Sequence, residues 1–200
     1  TVAPDQSTPV TDSGPAAPKP AGSRGAGTYP VGANRIDIDG DPDDWQAVPV
    51  AYSDPQGDSQ EPMDLKLATA AMDTKYCYVL VQVWGTEWTD DVVVTLDIDF
   101  TAGTSGWYGS TTSDLNVSFH REGLNAQRTP NVDYKLSGPR FVFKNGTLEA
   151  AIPQSSLRRI GKVEHLILDW VGIWQEKQPG NWAASILVDE GKIKHCDTFP

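Results

Sequence analysis

The sequence predicts an all-β fold, an antiparallel two-sheet β-sandwich with little helix, behind an extended Pro-rich N-terminal tail. Three observations predict it. Val92, Val94, Leu96, Ile98 and Phe100 alternate with Val93, Thr95, Asp97 and Asp99, the period-two pattern of a strand with one face on a core. Many further apolar runs are separated by Gly, Pro, Asn and Asp, residues that suit turns. Helix is confined to two short stretches, so sheet must pack on sheet.

Taken in chain order, residues 1–33 form the tail and 34–200 the sandwich. The first thirty residues hold six of the fifteen prolines and few large apolar side chains, a composition that cannot offset chain entropy and favours extended conformations. Strands are expected at Arg35–Ile38, Leu65–Ala71, Tyr76–Trp84, Val92–Phe100, Leu115–His120, Arg140–Lys144, Thr147–Ile152, Leu166–Trp174 and Ala183–Val188. The run from Tyr76 to Trp84 is apolar on both faces and so reads as a central strand covered on both sides or facing a groove. Lys144-Asn145-Gly146-Thr147 reads as a tight hairpin turn. Short helical turns fit Asp43–Ala47 and Gln154–Arg159, the latter behind Pro153.

The chain carries 16 Lys and Arg against 27 Asp and Glu, a formal charge of −11. Such a balance repels phosphate backbones and anionic lipid heads as a whole, which argues against nucleic-acid partners. No apolar run approaches the roughly 20 residues of a membrane-spanning helix. Thr1 in place of Met, with no charged and apolar leader behind it, reads as a processed chain in a secreted or cell-surface setting. Asn116-Val117-Ser118 and Asn145-Gly146-Thr147 match the glycosylation tripeptide, making Asn116 and Asn145 weak acceptor candidates that support that setting. Cys77 and Cys196 are candidates for one long-range disulfide, with two buried free thiols as the plain alternative.

Individual motifs divide between structural and functional readings. Ile36 to Trp45 places acids at 37, 39, 41 and 43, but the sixth and twelfth positions from Asp37 are Pro42 and Val48, which breaks the EF-hand pattern and favours an acidic turn anchored by Trp45. Asp97, Asp99 and Glu149 each lie on the polar side of a strand. They are either a hard-cation site or solvated strand exteriors. Of the seven tryptophans, Trp45 and Trp170 read as core, while Trp84, Trp88, Trp107, Trp174 and Trp182 fall near strand ends or loops. Loop tryptophans offer flat faces on which sugar rings stack. No phosphate-binding loop or zinc spacing is present, and nothing in the placement of Met63, Met72 and the three histidines favours haem ligation.

Four segments in order resemble the family 9 carbohydrate-binding modules and their DOMON-like relatives, over roughly residues 34–190. They are Ile38-Asp39-Gly40-Asp41-Pro42-Asp43-Asp44-Trp45, the stretch Ala68–Val79 with its Asp73-Thr74-Lys75-Tyr76 turn, Trp88-Thr89-Asp90-Asp91-Val92 leading to Leu96-Asp97-Ile98-Asp99, and Leu148-Glu149-Ala150-Ala151-Ile152-Pro153. The resemblance implies a β-sandwich in which Trp88 and Trp182 sandwich a saccharide. It also implies structural calcium, which strengthens Asp97, Asp99 and Glu149 as ligand candidates. The tail and the cysteine pair lie outside the shared pattern.

The expected function is therefore a non-catalytic extracellular carbohydrate-binding domain acting through Trp88 and Trp182, with no organic cofactor. A second reading is a structural subunit of an extracellular filament or surface layer, in which Thr8, Pro9 and Val10 add as a strand to an identical neighbour. A third is a haem-binding DOMON-type redox domain.

Overall fold

The computed structural model describes residues 36–59, 63–101, 113–128, 132–164, 166–176 and 185–192. Within them lie β1 (Tyr52–Ser53), β2 (Leu65–Met72), β3 (Tyr76–Val83), β4 (Val92–Asp99), β5 (Leu115–His120), β6 (Gly123–Arg128), β7 (Val132–Asp133), β8 (Arg140–Lys144), β9 (Thr147–Pro153), β10 (Ile167–Glu176) and β11 (Ser185–Lys192). A 3-10 turn covers Pro42–Trp45, and the helix α1 covers Gln154–Leu157. The strands pair into two antiparallel sheets, ordered β1-β2-β3-β9-β8 and β11-β10-β4-β5-β6-β7. The tail expected over residues 1–33 lies outside the described residues.

Alternation decides which side of each strand is covered by the other sheet. Val92, Val94, Leu96 and Ile98 of β4, with Leu115, Val117 and Phe119 of β5 and Val171 and Ile173 of β10, meet Ala68, Ala70, Cys77, Val79, Val81, Leu148, Ala150 and Ile152 from the five-stranded sheet. This is one continuous inter-sheet core, the arrangement that aligned sandwiches require. Bulges in β2, between Leu65 and Leu67, and in β10, between Leu168 and Trp170, adjust the alternation so that Leu65, Ala68, Leu168 and Val171 all belong to the core.

Residues 36–38 are not a strand. They lead into the acidic turn and cross the outer side of the five-stranded sheet, where Ile36 and Trp45 pack with Ala71, Tyr78, Leu80 and Ala151 in a second apolar cluster. This covering layer explains why β3 is apolar on both faces. Pro42 presets the first position of the 3-10 turn, and the Asp41 Oδ1 caps it by accepting the Asp43 N–H at 3.2 Å. Sequence periodicity misses β6 because Asn125, Gln127 and Arg128 are exposed and only Leu124 and Ala126 reach the core side. β1 and β7, of two residues each, are too short to show a period.

The β8–β9 hairpin closes on Asn145 (φ 50°) and Gly146 (φ 70°), both in the left-handed region that two-residue hairpin loops favour. Gly146 is obligatory on a second count, since a Cβ there would lie 2.1 Å from the Gly85 carbonyl oxygen. The hairpin is thereby pressed against the loop that follows β3. No helix among the described residues is long and apolar enough to cross a membrane.

Candidate functional site

Glu149 projects from β9 on the side away from the inter-sheet core and is fully buried beneath the acidic turn. Its Oε2 accepts the Asp39 N–H at 3.0 Å and the Gly40 N–H at 2.7 Å, and its Oε1 accepts the Trp45 indole N–H at 2.8 Å. Burial raises its pKa above the ordinary 4.5, against the pull of those three donors, and the Asp44 charge adds to the rise. The acidic turn is thus an anchor for the covering layer, with Asp44 Oδ2 accepting the Asp37 N–H at 2.6 Å and Asp39 Oδ1 accepting the Asp41 N–H at 2.9 Å.

Asp97 and Asp99 lie on the outer side of the six-stranded sheet, the opposite side of the sandwich from Glu149. The three candidate cation ligands are therefore not brought together, because alternation turns each away from the core on its own sheet. Among the described residues no group of three or more His, Cys, Asp or Glu is placed to hold a metal ion. The Asp97 Oδ1 accepts the Asn116 amide at 2.7 Å from the directly opposed position, and burial raises the Asp97 pKa against that bond. The Asn116 side-chain nitrogen, the atom that glycosylation would need, is engaged in this bond. Asn145, in contrast, is exposed at its hairpin tip.

The outer side of the six-stranded sheet otherwise mixes polar groups with the buried side chains of Val93 and Trp170. Thr95 and Ser118 share a hydroxyl hydrogen bond at 3.1 Å, His120 meets Asn125 at 3.2 Å, and the Trp170 ring lies over Gly172, where a Cβ would come within 2.0 Å of it. Met63 and Met72, considered above as haem ligands, are both buried in the core, where their sulfurs accept the Thr89 hydroxyl and the Gln154 amide.

The tryptophans sort by accessibility. Trp88, the expected sugar platform, is only 5% exposed and packs edge-on against Phe143 with ring centroids 5.3 Å apart. It belongs to the inter-sheet core, so the stacking role assigned to it from the sequence is corrected to a packing role. Trp182 lies outside the described residues, as do Cys196, Thr8, Pro9 and Val10. Cys77 is a free thiol at the centre of the core, not a disulfide half, and burial pushes its pKa up to about 12.

Trp84 is the most accessible tryptophan among the described residues, at 37% exposure. It continues the alternation of β3 one position past Val83, which faces the core, and so turns outward with Gln82. The residue is held twice by the segment from Asp54 to Asp64. Its backbone N–H donates to the Asp64 carbonyl at 2.8 Å and its indole N–H to the Asp54 carbonyl at 3.2 Å. The Lys66 ammonium stands 5.4 Å from the ring centroid, and the Asp54 Oδ1 accepts the Tyr52 hydroxyl at 2.6 Å. Burial raises the Asp54 pKa, opposed by that hydroxyl and reinforced by the charges of Asp58 and Asp64. The outcome is a fixed aromatic plate flanked by an ammonium group and a buried carboxylate. Comparison with known proteins finds no matching family model, curated protein or solved structure.

Proposed function

We propose that the chain is a non-catalytic, secreted saccharide-binding module whose stacking platform is Trp84. The observation that carries this reading is an indole 37% exposed yet tethered at both its backbone and its ring nitrogen. A pyranose presents a flat apolar face of C–H groups, and an aromatic plate is its natural complement. A plate already held in place loses little freedom on binding, so more of the stacking energy appears as affinity. The Lys66 ammonium, 5.4 Å from the ring centroid, supplies a donor for sugar hydroxyls.

The resemblance to family 9 modules supports the class of ligand, while the platform moves from Trp88 to Trp84. Titration of the purified chain with a panel of neutral oligosaccharides, followed by tryptophan fluorescence and calorimetry, tests the reading. Saturable binding that Trp84→Ala removes is the expected result. A variant that binds as well as the parent chain overturns it.

A further inference from the structure

The net charge of −11 hides a local reversal. Lys75, Lys135, Arg140, Arg158 and Arg159, five of the 16 basic residues, are all exposed and converge on one end of the five-stranded sheet. β3 begins there and β9 ends there, with Tyr76 opposite Pro153 and Arg140 opposite Ala151. α1 follows at once, its Gln154 N–H donating to the Lys75 carbonyl at 2.8 Å and Arg158 forming its C-cap. The Arg159 guanidinium donates to the Lys135 carbonyl at 3.1 Å and the Ser137 hydroxyl at 2.9 Å, which ties in the segment before β8.

None of the five cations makes an ion pair among the described residues. The Asp73 carboxylate feels the Lys75 charge without pairing with its ammonium, and the acids of this region bond to other groups. Asp73 accepts the Lys75 and Tyr76 N–H groups and the Tyr78 hydroxyl, Asp133 accepts the Gln127 amide, and Glu164 pairs with Lys162. The guanidinium groups are held in place by neutral partners. Arg140 stands 5.3 Å from the Tyr76 ring centroid, Arg159 stands 5.6 Å from that of Tyr134, and Arg158 donates to the Gln154 Oε1 at 2.8 Å. A guanidinium has five donors in a planar fork matched to carboxylate or sulfate oxygens, and these contacts leave most of them unused.

We infer that this end of the sheet is a second binding surface, for the carboxylate or sulfate groups of an acidic polysaccharide. The choice of a polysaccharide over another polyanion rests on the saccharide reading above. The charge argument stands independently of Trp84, which lies at the opposite end of β3. An arginine fork held over a tyrosine ring that is itself packed on the apolar core is preorganised for an oxyanion.

Affinity electrophoresis of the full chain through gels containing polygalacturonate, dextran sulfate or neutral dextran tests this. The expected result is retardation by one or both acidic polymers, abolished in about 1 M salt, where the screening length falls to about 3 Å. Arg140→Gln with Arg158→Gln weakens it by about tenfold or more. The matched surface control, Arg121→Gln with Arg128→Gln, leaves it within about twofold. Comparing polygalacturonate with dextran sulfate assigns the oxyanion. Trp84→Ala retains the retardation, so failure of the stacking reading and failure of this one are separately visible. Equal losses in the two double variants, retardation by neutral dextran alone, or no retardation by either acidic polymer overturns the inference. So does duplex DNA or an acidic protein that competes as well as the polysaccharide.

Discussion

The Glu149 carboxylate accepts the Trp45 indole N–H at 2.8 Å, joining positions 104 residues apart and fastening the acidic turn to the outer side of the five-stranded sheet. Glu149→Ala leaves the Trp45 indole and the Gly40 amide, both buried, without acceptors, together with the partly buried Asp39 amide. A loss of about 3 kcal/mol or more in urea unfolding is expected. Trp45→Phe removes only one donor, and a loss of about 1–3 kcal/mol is expected.

Asp73 gives the stability a dependence on pH. Burial pushes its carboxyl up, but the Lys75 and Tyr76 amides, the Tyr78 hydroxyl and the Lys75 charge together outweigh burial and hold it below the ordinary 3.8. A depressed pKa means that the folded state releases this proton more readily than the unfolded chain. The stabilisation is therefore present above the unfolded value and is lost as pH falls through the folded one. Asp73→Asn is expected to unfold at lower urea than the parent chain at neutral pH and to converge with it in acid. Parallel unfolding curves across that range contradict the assignment.

Cys77 is expected to resist thiol reagents in the folded protein, because its sulfur is fully buried and its pKa stands at about 12. Labelling in denaturant without reductant must then report at least one free thiol. A chain with no reactive thiol after unfolding, recovered on reduction, restores the disulfide reading.

The sandwich was legible where both faces of a strand differ in chemistry. Val92–Asp99 and Thr147–Pro153 alternate cleanly, and each places its core residues correctly. The candidate site was less legible, because its signals are not local. Alternation places Glu149 on the outer side of its sheet, but only the chain crossing from Ile36 to Val48 makes that side an interior. Trp84 does carry a readable signal, since it sits two residues beyond Gln82 in the same alternation. Trp88 lies in the loop after β3, where periodicity says nothing about direction, and the resemblance drawn from the sequence pointed toward solvent a ring that belongs to the core. The cationic end of the sheet is assembled from separate segments and vanishes in the sum of charges.

Gly172 tests the outer side of the six-stranded sheet. A Cβ at this position would meet the Trp170 ring at 2.0 Å, and Trp170 is fully buried, so it has little room to move. Gly172→Ala is expected to cost about 1–3 kcal/mol through overpacking, although alanine suits a strand better than glycine does. An unchanged or raised unfolding midpoint contradicts the placement of that ring.

Calorimetric titration of Trp84→Ala and Trp88→Phe beside the parent chain, each with its urea unfolding curve, separates the platform proposed at Trp84 from the packed ring of Trp88. Trp84→Ala is expected to lose saccharide binding while losing about 1–3 kcal/mol of stability, from one part-buried hydrogen bond and the covered part of the ring. Trp88→Phe is expected to keep the affinity of the parent while unfolding about 1–3 kcal/mol more easily. Saccharide binding that survives Trp84→Ala but disappears in a folded Trp88→Phe would contradict the assignment of the platform to Trp84.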